Sequence, residues 1–292
     1  MRNSSVPLWV LRVIWLLQPL AFVGVISDAT KSLSSTGALV IGVGVWTAWA
    51  VGLLATFVPS SVSLTVGRLL APAAVAVAAV AAGGSAVSGG KAAVAGGAAA
   101  VAVLVWFSGE IGAAFAQGSA YGNEQRFPLK APVPYAIPMA LSWLLLASSA
   151  IFGVVLIANH TAILGALLVV VAAVVGWFVG PRFHQLSRRW LVVLPVGVVV
   201  HDPMMLLENA LFRTSELAAI HLAPVGTEAA DLTGGTAGVA VEIVLREMDT
   251  ITKAAGRDKP EGTALHVLSV LIAPSRPGRA LAAAAARRLP VG

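Results

Sequence analysis

The run from Leu69 to Trp106 consists almost entirely of alanine, valine and glycine, and it contains one charged residue, Lys91. A transmembrane helix needs about 20 consecutive apolar residues. The run is therefore long enough for two crossings, and a soluble domain has no use for so uniform an apolar stretch. It predicts a membrane protein in which this region folds as a helical hairpin with Lys91 at an outside turn.

The composition agrees with a membrane chain that carries a soluble tail. Hydrophobic residues make up 58% of the sequence and charged residues 11%, against about 25% charged in an average soluble protein. Residues 1–181 hold 7 Lys or Arg and 3 Asp or Glu, whereas residues 182–292 hold 12 and 10. The chain has no cysteine, which excludes disulfides, thiolate metal sites and cysteine nucleophiles.

The apolar segments predict an α-helical polytopic domain over residues 1–183. Arg2 and the apolar segment after it could also be a signal peptide. Arg12 interrupts that segment and residues 26–29 are a poor cleavage site, so a retained helix is favoured. We expect about six transmembrane helices, near residues 7–28, 37–59, 69–90, 92–110, 136–158 and 162–181.

The distribution of Lys and Arg predicts the orientation of these helices, because cytosolic loops are enriched in both. With the N-terminus inside, only Lys31 and Lys91 fall outside. We therefore expect a multi-pass protein of the plasma (inner) membrane with both termini in the cytosol. The positions expected inside are Arg2, Arg12, Arg68, Arg126, Lys130, Arg182, Arg188 and Arg189.

Glycine pairs recur in the third and fourth segments, at 83–84, 89–90 and 96–97, among many alanines. Small residues let helix backbones approach closely, and dispersion then holds the helices together. The pairs are typical of an internal helix pair or of a homodimer face, and the sequence leaves both open.

The loop from Gly118 to Pro138 contains four prolines, which disfavour regular helix and keep the backbone extended. It also carries Tyr121, Arg126 and Phe127, a mixture that a simple connector does not need. The hypothesis is that these three residues dock on the tail. The alternative is a solvated loop.

Residues 184–292 have the pattern of six or seven short strands followed by one helix. Predicted strands include residues 190–194 and 197–201, separated by Pro195-Val196, a hairpin signal. Further predicted strands cover 204–207, 211–213, 239–245 and 265–272, and residues 217–222 are predicted as a strand or a short helix. The last helix follows Ser275, a plausible N-cap, and contains five consecutive alanines, the best helix former.

This tail resembles that of bacterial membrane proteins with a pleckstrin-homology-like (PH-like) domain. The resemblance rests on the run Arg189 to Val200 and on the antiparallel strands closed by a C-terminal helix. It implies a β-roll at 184–292 with a scaffold or interaction role, and the composition resembles that of actinobacteria. The first strand-connecting loops hold Pro195 and Asp202-Pro203 in place of basic residues, so specific inositide binding is not expected.

Few residues are equipped for chemistry. Arg12, Arg68 and Glu110 fall at the cytosolic ends of their segments, where such side chains can snorkel to the interface and act as anchors. The alternatives are an ion pair of Glu110 with either arginine that fastens helices, or a proton or cation site at Glu110. The histidines have no metal-ligand spacing, and no catalytic or phosphate-binding motif occurs. We expect no catalytic residues, cofactor or metal, and no nucleic-acid binding.

These observations favour a non-catalytic membrane scaffold or accessory subunit that acts through its tail and its helix faces. Its expected partners are membrane lipid and either other membrane proteins or a second copy. The alternative is a small permease or channel subunit, for which Gln18-Pro19 and Pro72 are the only hints. A lipid-modifying membrane enzyme is the least favoured class.

Overall fold

The structure, a computed structural model, describes residues 5–254 and 261–292. The chain forms two compact units. The helical unit comprises Met1–Ala114 and Met139–Phe183, and the β unit comprises Phe115–Pro138 and His184–Gly292. The sequence analysis placed the division between residues 183 and 184. The β unit contains residues 115–138 in addition, for reasons given below.

Six of the helices are long and apolar enough to cross a membrane, which confirms the predicted multi-pass architecture. The short helix α5 was not predicted. The helices are α1 Ser5–Thr30, α2 Ser35–Phe57, α3 Ser61–Ala82, α4 Gly89–Trp106, α5 Gly109–Gly118, α6 Val133–Ala158 and α7 Ala162–Leu186.

Serine caps determine where α2, α3 and α4 begin. The hydroxyls of Ser34, Ser60 and Ser88 each accept a hydrogen bond from a backbone N–H in the first turn, as N-caps do. Because of its cap, α3 starts well before the predicted residue 69. Lys91 lies in the first turn of α4, and the turn of the hairpin covers residues 83–88.

Alanines, and not the glycine pairs, make the close helix contacts of α4. Ala92, Ala95, Ala99 and Ala102 recur at helical spacing and are buried as α4 packs against α1 and α3. A Cβ atom built on Gly96 or Gly97, in contrast, would meet nothing within 4 Å. The internal helix pair is therefore present, and the glycine pair at 96–97 lies on another side of α4.

The helices α6 and α7 form a hairpin around His160, a non-glycine residue in the left-handed region (φ 63°). Gly153 and Gly165 bring the two backbones into contact. A Cβ on Gly165 would lie 2.7 Å from the carbonyl oxygen of Gly153. Pro138 lies inside α6, which begins at Val133 and not at the predicted residue 136. Pro134 lies in the first turn, where its missing N–H has no helical partner, whereas Pro138 lies in the second turn and leaves the carbonyl oxygen of Pro134 without a helical donor.

The β unit contains two four-stranded sheets and a C-terminal helix. The first sheet has the order β1-β2-β3-β4 and is antiparallel throughout. The second has the order β5-β7-β8-β6, and only β6 runs parallel to its neighbour. The elements are β1 Gln125–Pro128, β2 Trp190–Leu194, β3 Gly197–His201, β4 Ala210–Arg213, β5 Leu217–Leu222, β6 Ala230–Asp231, β7 Val241–Lys253, β8 Thr263–Ile272 and α8 Pro277–Ala286.

One core lies between the sheets, and alternate strand residues supply it. Val193, Val198 and Phe212 come from the first sheet, and Ile243 and Val270 from the second. Ala280, Ala284 and Leu289 close the core from α8 and the residues after it. The edge strand of the first sheet, β1, belongs to the loop between α5 and α6.

Three local predictions for the tail need correction. Residues 204–207 form turns with one bridge, Leu206 to Lys253, because Asp202 accepts the N–H groups of Met204 and Met205. Arg276, and not Ser275, occupies the N-cap of α8. The strand predicted at residues 239–245 is β7, which continues to Lys253.

Candidate functional site

The loop between α5 and α6 supplies the first strand of the β unit. Its strand β1 pairs with β2 so that Arg126 lies opposite Val192 and Phe127 opposite Leu191. Phe127 packs against the core between the sheets, and Leu129, two residues later, is itself part of that core. Two of the three residues proposed for docking thus lie on the sheet edge.

Arg126 covers the outer face of this edge. Its guanidinium group lies 4.4 Å from the centre of the Trp190 ring and 2.6 Å from the carboxylate of Glu124. Stacking on tryptophan and a carboxylate partner are both favourable for arginine. Tyr121, the third proposed residue, is 82% exposed, and its ring centre lies 5.9 Å from the same guanidinium group.

The residues after β1 join the two sheets. The backbone N–H of Leu129 donates to Arg189 at 2.9 Å, and that of Lys130 donates to Ala273 at 2.9 Å. Ser275 in turn donates to Pro128 at 2.8 Å. Residues 128–130 of the loop therefore bond both to the residue before β2 and to the residues that follow β8. Through these backbone hydrogen bonds the loop belongs to the β unit, as the strands of the tail do.

A buried ion pair fastens the loop to the β2–β3 hairpin. The Arg189 and Asp202 side chains are 1% and 0% exposed and are joined by two hydrogen bonds of 2.8 and 2.6 Å. Arg189 also donates to the carbonyl oxygen of Lys130. The sequence analysis missed this pair, although a charged residue at each end of an apolar hairpin is the signal that could have indicated it.

His201 is a partly buried titratable group at the end of β3. Its ring stacks on Trp190 with centres 5.2 Å apart, and Nδ1 lies 2.6 Å from the side-chain oxygen of Asn209. Burial lowers the pKa of His201, and the positive charges of Arg188 and Arg126 act in the same direction. The Asn209 contact requires the proton on Nδ1, so Nε2 is left as a buried acceptor.

The arginines of the helical unit contact carbonyl oxygens and aromatic rings. Arg12 donates to Thr56 at 3.3 Å and lies over the Trp9 and Phe57 rings. Arg68 donates to the Trp106 carbonyl oxygen at 3.3 Å. Glu110 lies in the first turn of α5. An ion pair of Glu110 with either arginine stays a prediction.

Asp28 is a charged residue that the sequence analysis did not single out. It lies near the end of α1, is 7% exposed, and contacts Lys31 at 2.6 Å and Lys91 at 2.5 Å. Its carboxylate therefore joins α1 to the first turn of α4. Because Asp28 forms an ion pair with each lysine, this cluster is suited to holding α1 and α4 together.

Two tryptophans connect α1 and α2 through a pair of reciprocal hydrogen bonds. The indole N–H of Trp15 donates to the carbonyl oxygen of Trp49, and that of Trp49 donates to the carbonyl oxygen of Trp15. Pro19, four residues after Trp15, has no N–H to offer that carbonyl in the helix. Trp15 is 3% exposed, so it belongs to the core of the helical unit.

A cavity of about 80 Å³ lies beside this tryptophan pair. Gln18 is the polar residue among those that line the cavity. Its side chain is 6% exposed, and its Nε2 atom donates a hydrogen bond of 2.9 Å to the carbonyl oxygen of Ala98 on α4. Among the described residues, no donor reaches its Oε1 atom. The other lining residues are apolar or aromatic and come from α1, α2 and α3: Trp15, Pro19, Phe22, Val45, Trp46, Ala48, Trp49, Leu70, Ala73, Ala74 and Val77.

Two features of the described residues are candidates for a functional site. One is the β unit, whose first strand comes from the loop between α5 and α6, and the other is the cavity beside Gln18. Over residues 5–254 and 261–292, no group of three or more His, Asp or Glu side chains is placed to hold a metal ion. Comparisons of the chain with protein-family models, with curated proteins and with solved structures find no match.

Proposed function

We propose that this protein is a non-catalytic membrane scaffold or accessory subunit whose β unit, a PH-like domain, contacts other proteins at the cytosolic face of the plasma membrane. Two sheets closed by a C-terminal helix are consistent with the PH-like resemblance. The integration of a loop from between two membrane helices supports a role in which the β unit is held at the membrane.

The observation that carries the proposal is a set of exposed apolar side chains at one end of β5 and β7. Val225 is fully exposed, and Leu222 and Val239 are 49% and 52% exposed. A hydrogen bond of 3.0 Å from Ala223 to Ala240 holds the two flanking segments together. Exposed apolar patches on a soluble surface mark interaction sites. We call Leu222, Val225 and Val239 the β5–β7 patch.

Site-specific photocrosslinking in cells tests this role. A photoreactive residue replaces Val225, and a matched variant carries it at Ser215, an exposed residue in the β4–β5 turn. We expect a protein adduct of discrete mass from position 225 and none from 215. The adduct should disappear when Leu222 and Val239 are both changed to serine. Equal products at both positions, or lipid adducts alone, would count against a protein partner.

The proposed orientation has its own test, which the absence of cysteine makes simple. A Ser215→Cys variant in intact cells should react with a membrane-impermeant maleimide only after permeabilisation. Reaction in intact cells would place the β unit outside and overturn the cytosolic assignment.

A small permease or channel subunit is the second candidate, and the cavity beside Gln18 and Pro19 favours it. Transporters use interrupted helices with polar groups near the middle of the membrane. Purified protein in liposomes should give no solute flux above empty liposomes if the scaffold proposal holds. Uptake that is abolished by Gln18→Leu would support the permease in its place.

A further inference from the structure

Arg12 is an arginine inside a membrane helix, and the protein uses only part of its guanidinium group. Its Nε atom donates to the carbonyl oxygen of Thr56 in the last turn of α2 at 3.3 Å. Such carbonyls have no partner within their own helix, and a cation next to them is favourable. In the part of the chain that the structure describes, Nη1 and Nη2 of Arg12 donate to no protein atom.

These two terminal nitrogens are open to the surroundings of the helices. The Arg12 side chain is half-buried, and neither nitrogen is among the buried polar atoms that lack a partner. A ligand can therefore reach the free edge of the guanidinium group, which carries every N–H donor of the group except the one on Nε.

Two aromatic rings hold the guanidinium group in place. Its central carbon lies 5.1 Å from the centre of the Trp9 ring and 5.0 Å from that of the Phe57 ring. Both distances are in the range of cation–π contacts. Both rings are also more than half exposed, so they form an apolar surface on either side of the free edge.

The position of Arg12 along α1 brings its free edge to the level of the lipid headgroups. The candidate span Val6–Thr30 has 25 residues, or about 38 Å of helix, against a hydrocarbon core of about 30 Å. If the span is centred, the Cα atom of Arg12 lies about 5 Å inside that core. An arginine side chain is long enough to extend from there to the headgroups.

Capping of a helix end does not account for this arrangement by itself. Arg68 lies seven residues after the start of α3, as Arg12 does after the start of α1, and its Nε donates to the carbonyl oxygen of Trp106 at 3.3 Å. An arginine thus caps α4 as well as α2. Capping uses Nε in both places, and it leaves the edge of Arg12 between the two exposed rings without a role.

We propose that Arg12 binds the phosphate group of a membrane phospholipid. Nη1 and Nη2 donate two parallel hydrogen bonds to two phosphate oxygens, the geometry in which arginine recognises phosphate best. The acyl chains lie along Trp9 and Phe57, which a phosphate without chains could not use. An ion pair with Glu110 would need the same two nitrogens, so the two uses exclude each other. The inference does not depend on the role proposed for the β unit.

Native mass spectrometry of the purified full-length protein in detergent counts the lipid molecules that remain bound. The probe is dioleoylphosphatidylglycerol, and the matched probe is dioleoylglycerol, which has the same chains and no phosphate. We expect the wild-type protein to retain the phospholipid in preference to dioleoylglycerol. Arg12→Gln should retain one copy fewer at saturation, or bind that copy about tenfold to hundredfold more weakly, as the loss of charged hydrogen bonds implies.

Two further variants separate the site from a general effect of charge. Arg213→Gln makes the same change of side chain and net charge at an exposed position of the β unit, and it should retain lipid as the wild type does. Arg12→Lys keeps the charge but not the two-nitrogen edge, so it should bind the same copy more weakly than wild type and more tightly than Arg12→Gln. If Arg12→Gln fails to fold, Arg12→Lys and the comparison of the two probes still decide the question.

The proposal is overturned if the wild-type protein retains the two probes equally, or if Arg12→Gln retains as many phospholipids as Arg213→Gln with the same affinity. Retention by Arg12→Lys equal to that of wild type would overturn the two-nitrogen recognition. A competition arm with inorganic phosphate separates the sources of the ligand. An excess of phosphate should leave the bound lipid in place, and displacement would assign a free phosphate and overturn the lipid site.

Discussion

Trp15 and Trp49 exchange hydrogen bonds of 2.9 and 3.0 Å, each indole N–H donating to the backbone carbonyl oxygen of the other residue. One of these carbonyls is available because Pro19 follows Trp15 by four residues. The hydrogen bond that Pro19 removes from the continuous helix α1 is thereby replaced by one from α2, and both tryptophans also line the cavity beside Gln18.

Trp49→Phe should destabilise the helical unit by about 1–3 kcal/mol, since it leaves the Trp15 carbonyl without its donor in an apolar interior. Thermal unfolding in detergent measures the effect. Trp177→Phe is the control, because Trp177 is 80% exposed. Equal unfolding temperatures for the two variants would show that the reciprocal pair contributes nothing.

Gly52→Ala should destabilise the protein, because the new Cβ would lie 2.2 Å from the Trp15 ring. Overpacking of this kind costs about 1–3 kcal/mol. Gly97→Ala is the matched helical control, with nothing within 4 Å of its new Cβ atom. It should be neutral or slightly stabilising in the same unfolding assay. A larger loss for Gly97→Ala would indicate that the α4 face is covered, as in a homodimer.

Arg126→Cys combined with Val192→Cys should form a disulfide under mild oxidation, because these residues are opposite each other in the β1–β2 pair. The wild-type chain contains no cysteine that could compete. Arg126→Cys with Val199→Cys is the control. Val199 lies one strand further, about 10 Å away, beyond the roughly 7 Å that a disulfide spans. Gel mobility after protease cleavage between residues 126 and 192 reads out the bond, and its absence from the first pair would contradict the docking of the loop.

Asp202→Asn should destabilise the β unit by about 3–5 kcal/mol, because it leaves the buried charge of Arg189 without its counter-charge. Glu216→Gln is the control, since the Arg213–Glu216 pair is exposed and 3.7 Å apart. That change should cost less than about 1 kcal/mol. Hydrogen exchange at the β2 and β3 amides of the full chain compares the two, and similar protection in both would contradict a central role for Arg189–Asp202.

His201 should make the β unit less stable in mild acid. Burial lowers its pKa in the folded state, so the unfolded chain binds the proton more tightly. The stability contribution of neutral His201 is complete above about pH 6.5 and declines as the pH falls through that value. Hydrogen exchange of β2 and β3 between about pH 8 and about pH 5 measures it, corrected for intrinsic exchange. His201→Gln should flatten this dependence, and an unchanged slope would contradict the assignment.

The sequence by itself determined the membrane helices and most strands of the tail, since both follow from local patterns. An apolar run such as Leu69–Trp106 has to leave water whatever surrounds it. The two β-branched-rich runs within residues 190–201 likewise indicate a strand pair with a turn at Pro195-Val196. The cap at Ser60 is also a local signal, but the predicted start of α3 at residue 69 rested on the apolar run alone, and the helix begins at Ser61.

Only the tertiary structure decided which distant residues meet. The α5–α6 loop could be suspected of docking from Arg126 and Phe127, but its register beside β2 depends on a free strand edge that no local pattern reveals. The Arg189–Asp202 pair and the Trp15–Trp49 exchange join residues 13 and 34 positions apart. The hydrogen bonding of the Gln18 amide likewise depends on how α1, α2, α3 and α4 pack together. Whether a side-chain atom finds a hydrogen-bond partner is decided by the residues that lie next to it in the folded chain.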